Sequence, residues 1–108
     1  MRKELMKISK VYVGFGGYQE AQIGIWFQFS SPGSGVGDGS GAWATEWTKD
    51  CKWSKQDRLN TLGEIFMQIS EWLSQAKVDS VYELNGIPVE VIFEGNALKE
   101  WRILTEVL

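Results

Sequence analysis

The sequence predicts an α+β domain: an antiparallel sheet of four to five strands in the order β-β-β-α-β-β, with one long amphipathic helix packed on one face. Three observations predict it. Residues 7–18 and 20–30 alternate with period two on either side of a Gly16-Gly17 turn. Residues 55–76 carry apolar side chains at three- and four-residue spacing. A second alternating pair, 87–94 and 98–107, is joined by Gly95-Asn96. Strands grouped by hairpins give an antiparallel sheet, and one helix covers one face, so the other is either wet or a partner surface.

In the first strand Val11, Val13 and Phe15 point to the core and Tyr12, Gly14 and Gly16 away from it. In the second, Ile23, Ile25, Phe27 and Phe29 point in and Gln22, Gly24, Trp26 and Gln28 point out. Residues 31–42 form a Gly-rich loop in which glycine recurs at every second position from Gly33 to Gly41. Its alternation runs on into a third strand at 42–47, with Trp43 and Trp47 on the glycine side. Residues 48–53 are a connection. Ser54 caps the helix and Asp57 supplies an acid in its first turn. The helix stripe is Leu59, Leu62, Ile65, Phe66, Ile69, Trp72, Leu73 and Ala76. Gly63 inside it costs about 1 kcal/mol against Ala, and close packing on the sheet would be one reason to keep it. A short helical turn at 79–84, capped by Asp79, and an Asn85-Gly86 turn lead to the fourth strand. There Ile87, Val89, Val91 and Phe93 face the core, and Pro88 suits an edge or first position. Trp101, Ile103 and Val107 point inward from the fifth.

A chain of 108 residues suits one domain, 1–108, burying roughly 65% of its extended surface. With 44% apolar and 23% charged residues it reads as an ordinary globular protein. No apolar run of about 18 residues exists, so no membrane partner is expected. Net charge is −3, with 14 acids against 11 bases, which argues against direct nucleic-acid binding. Arg2, Lys3, Lys7 and Lys10 crowd the first ten positions, as a small basic arm or a frayed, solvated terminus. The one cysteine forbids an intrachain disulfide, and no secretory or lipidation pattern is present; a reducing cytosol fits. No histidine occurs. That removes imidazole acid-base chemistry, Ser-His-Asp and Cys-His pairs and the usual zinc sites, so neither a metal nor another cofactor is expected.

The outward face of the first hairpin is the leading candidate site: Tyr12, Gly14, Gly24 and Trp26, extended by Trp43 and Trp47 and by Asp38 of the Gly-rich segment. Rings over a glycine floor suit a flat ligand, a base or a protein hot spot. The same pattern also arises where rings shield strand glycines, or at a homodimer interface. The Gly-rich segment matches no phosphate-loop spacing; Gly39-Ser40-Gly41-Ala42-Trp43-Ala44 fits only a loose dinucleotide form with no helix after it. A weaker candidate is the acidic cluster Glu90, Glu94, Glu100 and Glu106 around Arg102, which reads as nucleic-acid charge mimicry or as a solvated face. Asp38, Glu46, Asp50 and Asp57 have no spacing that brackets a scissile bond. Cys51, between Asp50 and Lys52, lacks a histidine partner and reads as an incidental thiol. The expectation is therefore a non-catalytic binding protein.

Three segments, Val11–Tyr18, Gly35–Asp38 and Gly86–Leu108, together resemble a group of small proteins encoded by bacteriophages and prophages. The resemblance brings no catalytic motif. It implies an accessory phage product in the host cytosol. Accessory proteins of this size include inhibitors of host defence, anti-CRISPR proteins among them, proteins that sequester signalling nucleotides, and structural proteins of the virion. The implied partner is a host protein, with a nucleotide ligand as the alternative.

Overall fold

The computed structural model describes residues 1–37, 43–47 and 54–108, and of Tyr18 the backbone alone. The elements are β1 (Arg2–Gly16), β2 (Gln22–Ser31), β3 (Ser34–Gly37), β4 (Ala44–Glu46), α1 (Lys55–Ala76), β5 (Pro88–Glu94) and β6 (Ala97–Ile103). The sheet runs β3-β2-β1-β5-β6. Every pairing in it is antiparallel, and β4 joins β2 beyond β3. The α+β class, the antiparallel sheet and the single helix are as the sequence predicts.

The first ten residues are neither an arm nor frayed. They are the first half of β1, the central strand, paired with β5 from Arg2↔Phe93 to Lys7↔Pro88. Their alternation explains why: Met6 and Ile8 are buried, while Lys3, Leu5 and Lys7 face the other way. Lys3 and Lys7 share the outer face of the strand, while Arg2 lies on the inner side over the Phe93 ring. Between Ile8 and Lys10 the register against β2 slips by one residue, a β-bulge. Before it even-numbered residues point inward; after it Val11, Val13 and Phe15 do, opposite Phe27, Ile25 and Ile23.

The core lies between this inner face and α1. Ile65, Ile69, Trp72 and Ala76 are the buried residues of the helix. Trp72 sits 5.0 Å from Phe27, 5.2 Å from Trp101 and 5.3 Å from Trp43, ring centre to ring centre. Aromatic pairs of this kind add about 0.5–1.5 kcal/mol each beyond the area they bury. The Asp57 N–H donates to Ser54 Oγ at 3.0 Å, so the cap is as expected. The helix ends on Lys77 in the left-handed region, φ 59°. There the Val78 N–H reaches the Leu73 carbonyl at 3.1 Å.

Several expectations are corrected. Residues 34–37 are a strand, because the Ser30-Ser31 end of β2 continues into a tight turn at Pro32-Gly33 and pairs back on itself. Leu59 and Phe66 lie on the exposed flank of α1, Phe66 at 68% exposure, since the helix is apolar over a wider arc than the sheet can cover. Nothing lies within 4 Å of a Cβ placed on Gly63, so packing on the sheet does not explain that glycine. The turn at Val81–Leu84 is tied by Glu83, whose carboxylate accepts the Asp79 and Ser80 N–H groups at 2.7 and 3.0 Å; Asp79 is not its cap. Pro88 takes the first position of β5, one of its two expected placements, and the strand is interior rather than an edge. Val107 is 64% exposed, because β6 stops at Ile103 and a 3-10 turn follows. No described helix is long and apolar enough to cross a membrane.

Candidate binding face

The face of the sheet opposite α1 holds the predicted site. Cross-strand pairing places Tyr12 beside Trp26 and Gly14 beside Gly24. The Tyr12 and Trp26 ring centres are 5.9 Å apart. Each ring leans over a glycine of β1. A Cβ on Gly14 would stand 2.9 Å from the Tyr12 hydroxyl, and one on Gly16 would stand 3.0 Å from the Trp26 ring edge. The Tyr12 hydroxyl donates to the Phe15 carbonyl at 2.7 Å. The rings therefore shield strand backbone and still present half-exposed apolar surface. Gly24 has a different reason. A Cβ there would collide with the Trp43 carbonyl oxygen and lie 2.6 Å from Ala44 Cα, so the close approach of β4 demands glycine.

Trp43 and Trp47 do not extend this face. Trp43 packs on Trp72 in the core, and the Arg58 guanidinium of α1 lies over the Trp47 ring at 5.2 Å. Both are on the helix side, whereas Gly35 and Gly37 of β3 pair with Ser30 and Gln28 on the outer side. The alternation thus changes parity between Gly37 and Trp43. Asp38 lies outside the described residues, as do Asp50, Cys51, Lys52 and the remainder of the Gly-rich segment.

The acidic cluster is only partly as predicted. Glu90 and Glu100 do lie on the outer face. But Arg102 pairs with Glu90 at 3.2 Å and with Glu106 at 3.2 Å. The bond to Arg102 holds the Glu106 carboxyl below its ordinary range, and the bonds to Glu106 and then Glu90 hold the Arg102 guanidinium above its own. Lys3 and Leu5 of β1 run beside Ile92 and Glu90. The result is a mixed-charge surface in place of an acidic one.

Two concavities were not foreseen. Ser9, Gln28, Phe29, Ser30 and Val36, with Gly35 and Gly37, border one of mixed polar and apolar lining of about 390 Å³. Leu5, Pro32, Pro88, Leu104 and Val107 border an apolar one of about 540 Å³. The signal for the second was the Lys3/Leu5/Lys7 alternation, hidden by its charge. Among the described residues no three metal-ligating side chains gather. No family model, no curated protein and no solved structure matches the chain.

Proposed function

We propose that this is a non-catalytic binding protein of phage accessory type, which inhibits a host defence or nucleic-acid-handling protein through the sheet face opposite α1. One observation carries the reading. That face bears a half-exposed Tyr12 beside a partly buried Trp26, and an apolar groove at the meeting of β1, β2 and β5 with the C-terminal turn, where a merely wetted sheet face would bear polar side chains. Tyr and Trp are the residue types that dominate interface energetics. The likeness of three segments to small phage and prophage proteins points the same way. The test is affinity capture from a bacterial host lysate. The tagged protein should retain one stoichiometric host protein, and Trp26→Ala and Leu5→Glu should each lose it while keeping their far-UV spectrum. Capture that is unchanged in both variants removes this face from the reading.

A second reading, a sponge for a nucleotide or other small ligand, draws on the mixed concavity beside Gln28. Its volume lies in the roughly 300–1,000 Å³ range of small-molecule sites, and its walls offer hydroxyl and amide groups. Tryptophan fluorescence that does not respond to millimolar mono- and cyclic nucleotides would exclude it.

A further inference from the structure

The second half of β1 has an open edge. On that side, the last rungs toward β5 are the Ile8 N–H on the Ile87 carbonyl at 3.0 Å and the Gly86 N–H on the Ile8 carbonyl at 2.7 Å. From Lys10 to Gly16 the strand pairs with β2 alone among the described residues. The direction of its free groups follows from its neighbour. The Ile25 N–H donates to the Trp43 carbonyl at 3.0 Å and the Ala21 carbonyl accepts from Trp47 at 2.9 Å. Odd-numbered residues of β2 therefore turn their peptide groups toward β4, and even-numbered ones toward β1. Tyr12↔Trp26 and Gly14↔Gly24 are then the hydrogen-bonded pairs, and Val13↔Ile25 is not. Val11, Val13 and Phe15 thus aim their N–H and C=O groups at the open side.

This edge is unlike the sheet's other described edges, of which β4 has only three residues. β6 carries Lys99, Glu100 and Arg102, the charges that deter edge pairing, and β3 spans only four residues. Residues 11–16, Val-Tyr-Val-Gly-Phe-Gly, hold neither charge nor proline. Val13 and Phe15 are 52% and 50% exposed although they point to the core side. Among the described residues, unpaired backbone and uncovered apolar side chains coincide on one stretch of strand.

We propose that the protein forms a symmetric dimer in which this edge pairs antiparallel with the same edge of a second copy, the two-fold axis passing between the two Val13 residues. The segment is complementary to itself in that register. Val11 meets Phe15 of the second copy, and Tyr12 meets Gly14, so a ring again lies over a glycine. Lys10 meets Gly16, so no charge faces a like charge. Val13 and Phe15 of both copies come together on the core side. Both aromatic faces stand on the same side of one continuous sheet, which doubles the surface described above; the dimer itself does not depend on that surface's function. A strand pair of this length covers less than the ~800 Å² per partner of a standard interface, so dissociation belongs in the micromolar range.

Sedimentation across a concentration series, with the full chain, tests this. The wild type should pass from monomer to twice the chain mass as concentration rises through the micromolar range. Val13→Pro deletes an N–H that points outward and should stay monomeric with an unchanged far-UV spectrum. Val13→Lys places two charges against each other and should also stay monomeric; it decides the matter if the proline variant unfolds. Val13→Cys, in a Cys51→Ser background, should form an intermolecular disulfide under air. A wild type that stays monomeric throughout, or dimers that persist in Val13→Lys, would overturn the proposal.

Discussion

The two halves of β1 differ in what lies beside them and in what their faces carry. From Arg2 to Ile8 the strand has β5 on one side, Met6 and Ile8 are buried, and the outer face alternates basic and apolar residues. From Lys10 to Gly16 it pairs with β2 alone among the described residues, and from Val11 onward it is apolar or glycine on both faces. A single bulge separates them. The contrast teaches that one strand can act as scaffold in its first half and as surface in its second. The change comes when a neighbour ends, at Pro88, and not when the strand does.

The largest effect should come from breaking the scaffold half. Ile8→Ala should cost about 2–5 kcal/mol in urea unfolding, the range for a buried Ile. Phe15→Ala, at a half-exposed site, should cost the monomer under about 1 kcal/mol. Equal losses would erase the distinction. Glycines sharpen it next. Gly24→Ala drives a methyl into the Trp43 carbonyl and should cost about 1–3 kcal/mol. Gly63→Ala, with open space around it, should gain roughly 0.5–1 kcal/mol through helix propensity. A smaller change in stability, and a larger one in binding, is expected of Trp26→Ala. It should weaken a captured partner by more than about 2 kcal/mol, some thirtyfold, while calorimetry shows a fold nearly as stable as wild type. The smallest concerns acid. The Glu106 carboxyl is lowered by Arg102, so its stabilisation is present above the ordinary carboxylate range and fades as pH falls through the lowered value. Both groups are fully exposed, so Glu106→Gln should alter only the acid limb of a stability-pH curve, and slightly.

Much of the fold was legible because it is local. The spacing from Leu59 to Ala76 and the Ser54 cap gave the helix its bounds, and Gly95 gave the last hairpin its turn. The outer placement of Tyr12, Gly14, Gly24 and Trp26 was legible too, since parity holds along an unbroken strand. Parity failed where the strand was interrupted. Trp43 shares odd numbering with Gly35 and Gly37 yet packs on Trp72, because β4 joins β2 afresh. The first half of β1 was obscured by its basic residues; that Lys3 and Lys7 share the outer face while Arg2 lies over Phe93 becomes evident only beside β5. The open edge was beyond sequence reading altogether, because it depends on which residue of β5 pairs last with β1, a non-local fact.

The most direct test of the account is residue-resolved hydrogen exchange on the protein alone and with the host partner that the proposed function predicts. Bound partner should protect the amides of β1 from Lys10 to Gly16 and those around Trp26, and leave the exposed flank of α1 near Phe66 unchanged. Protection confined to that helix flank, with the sheet face untouched, would contradict it.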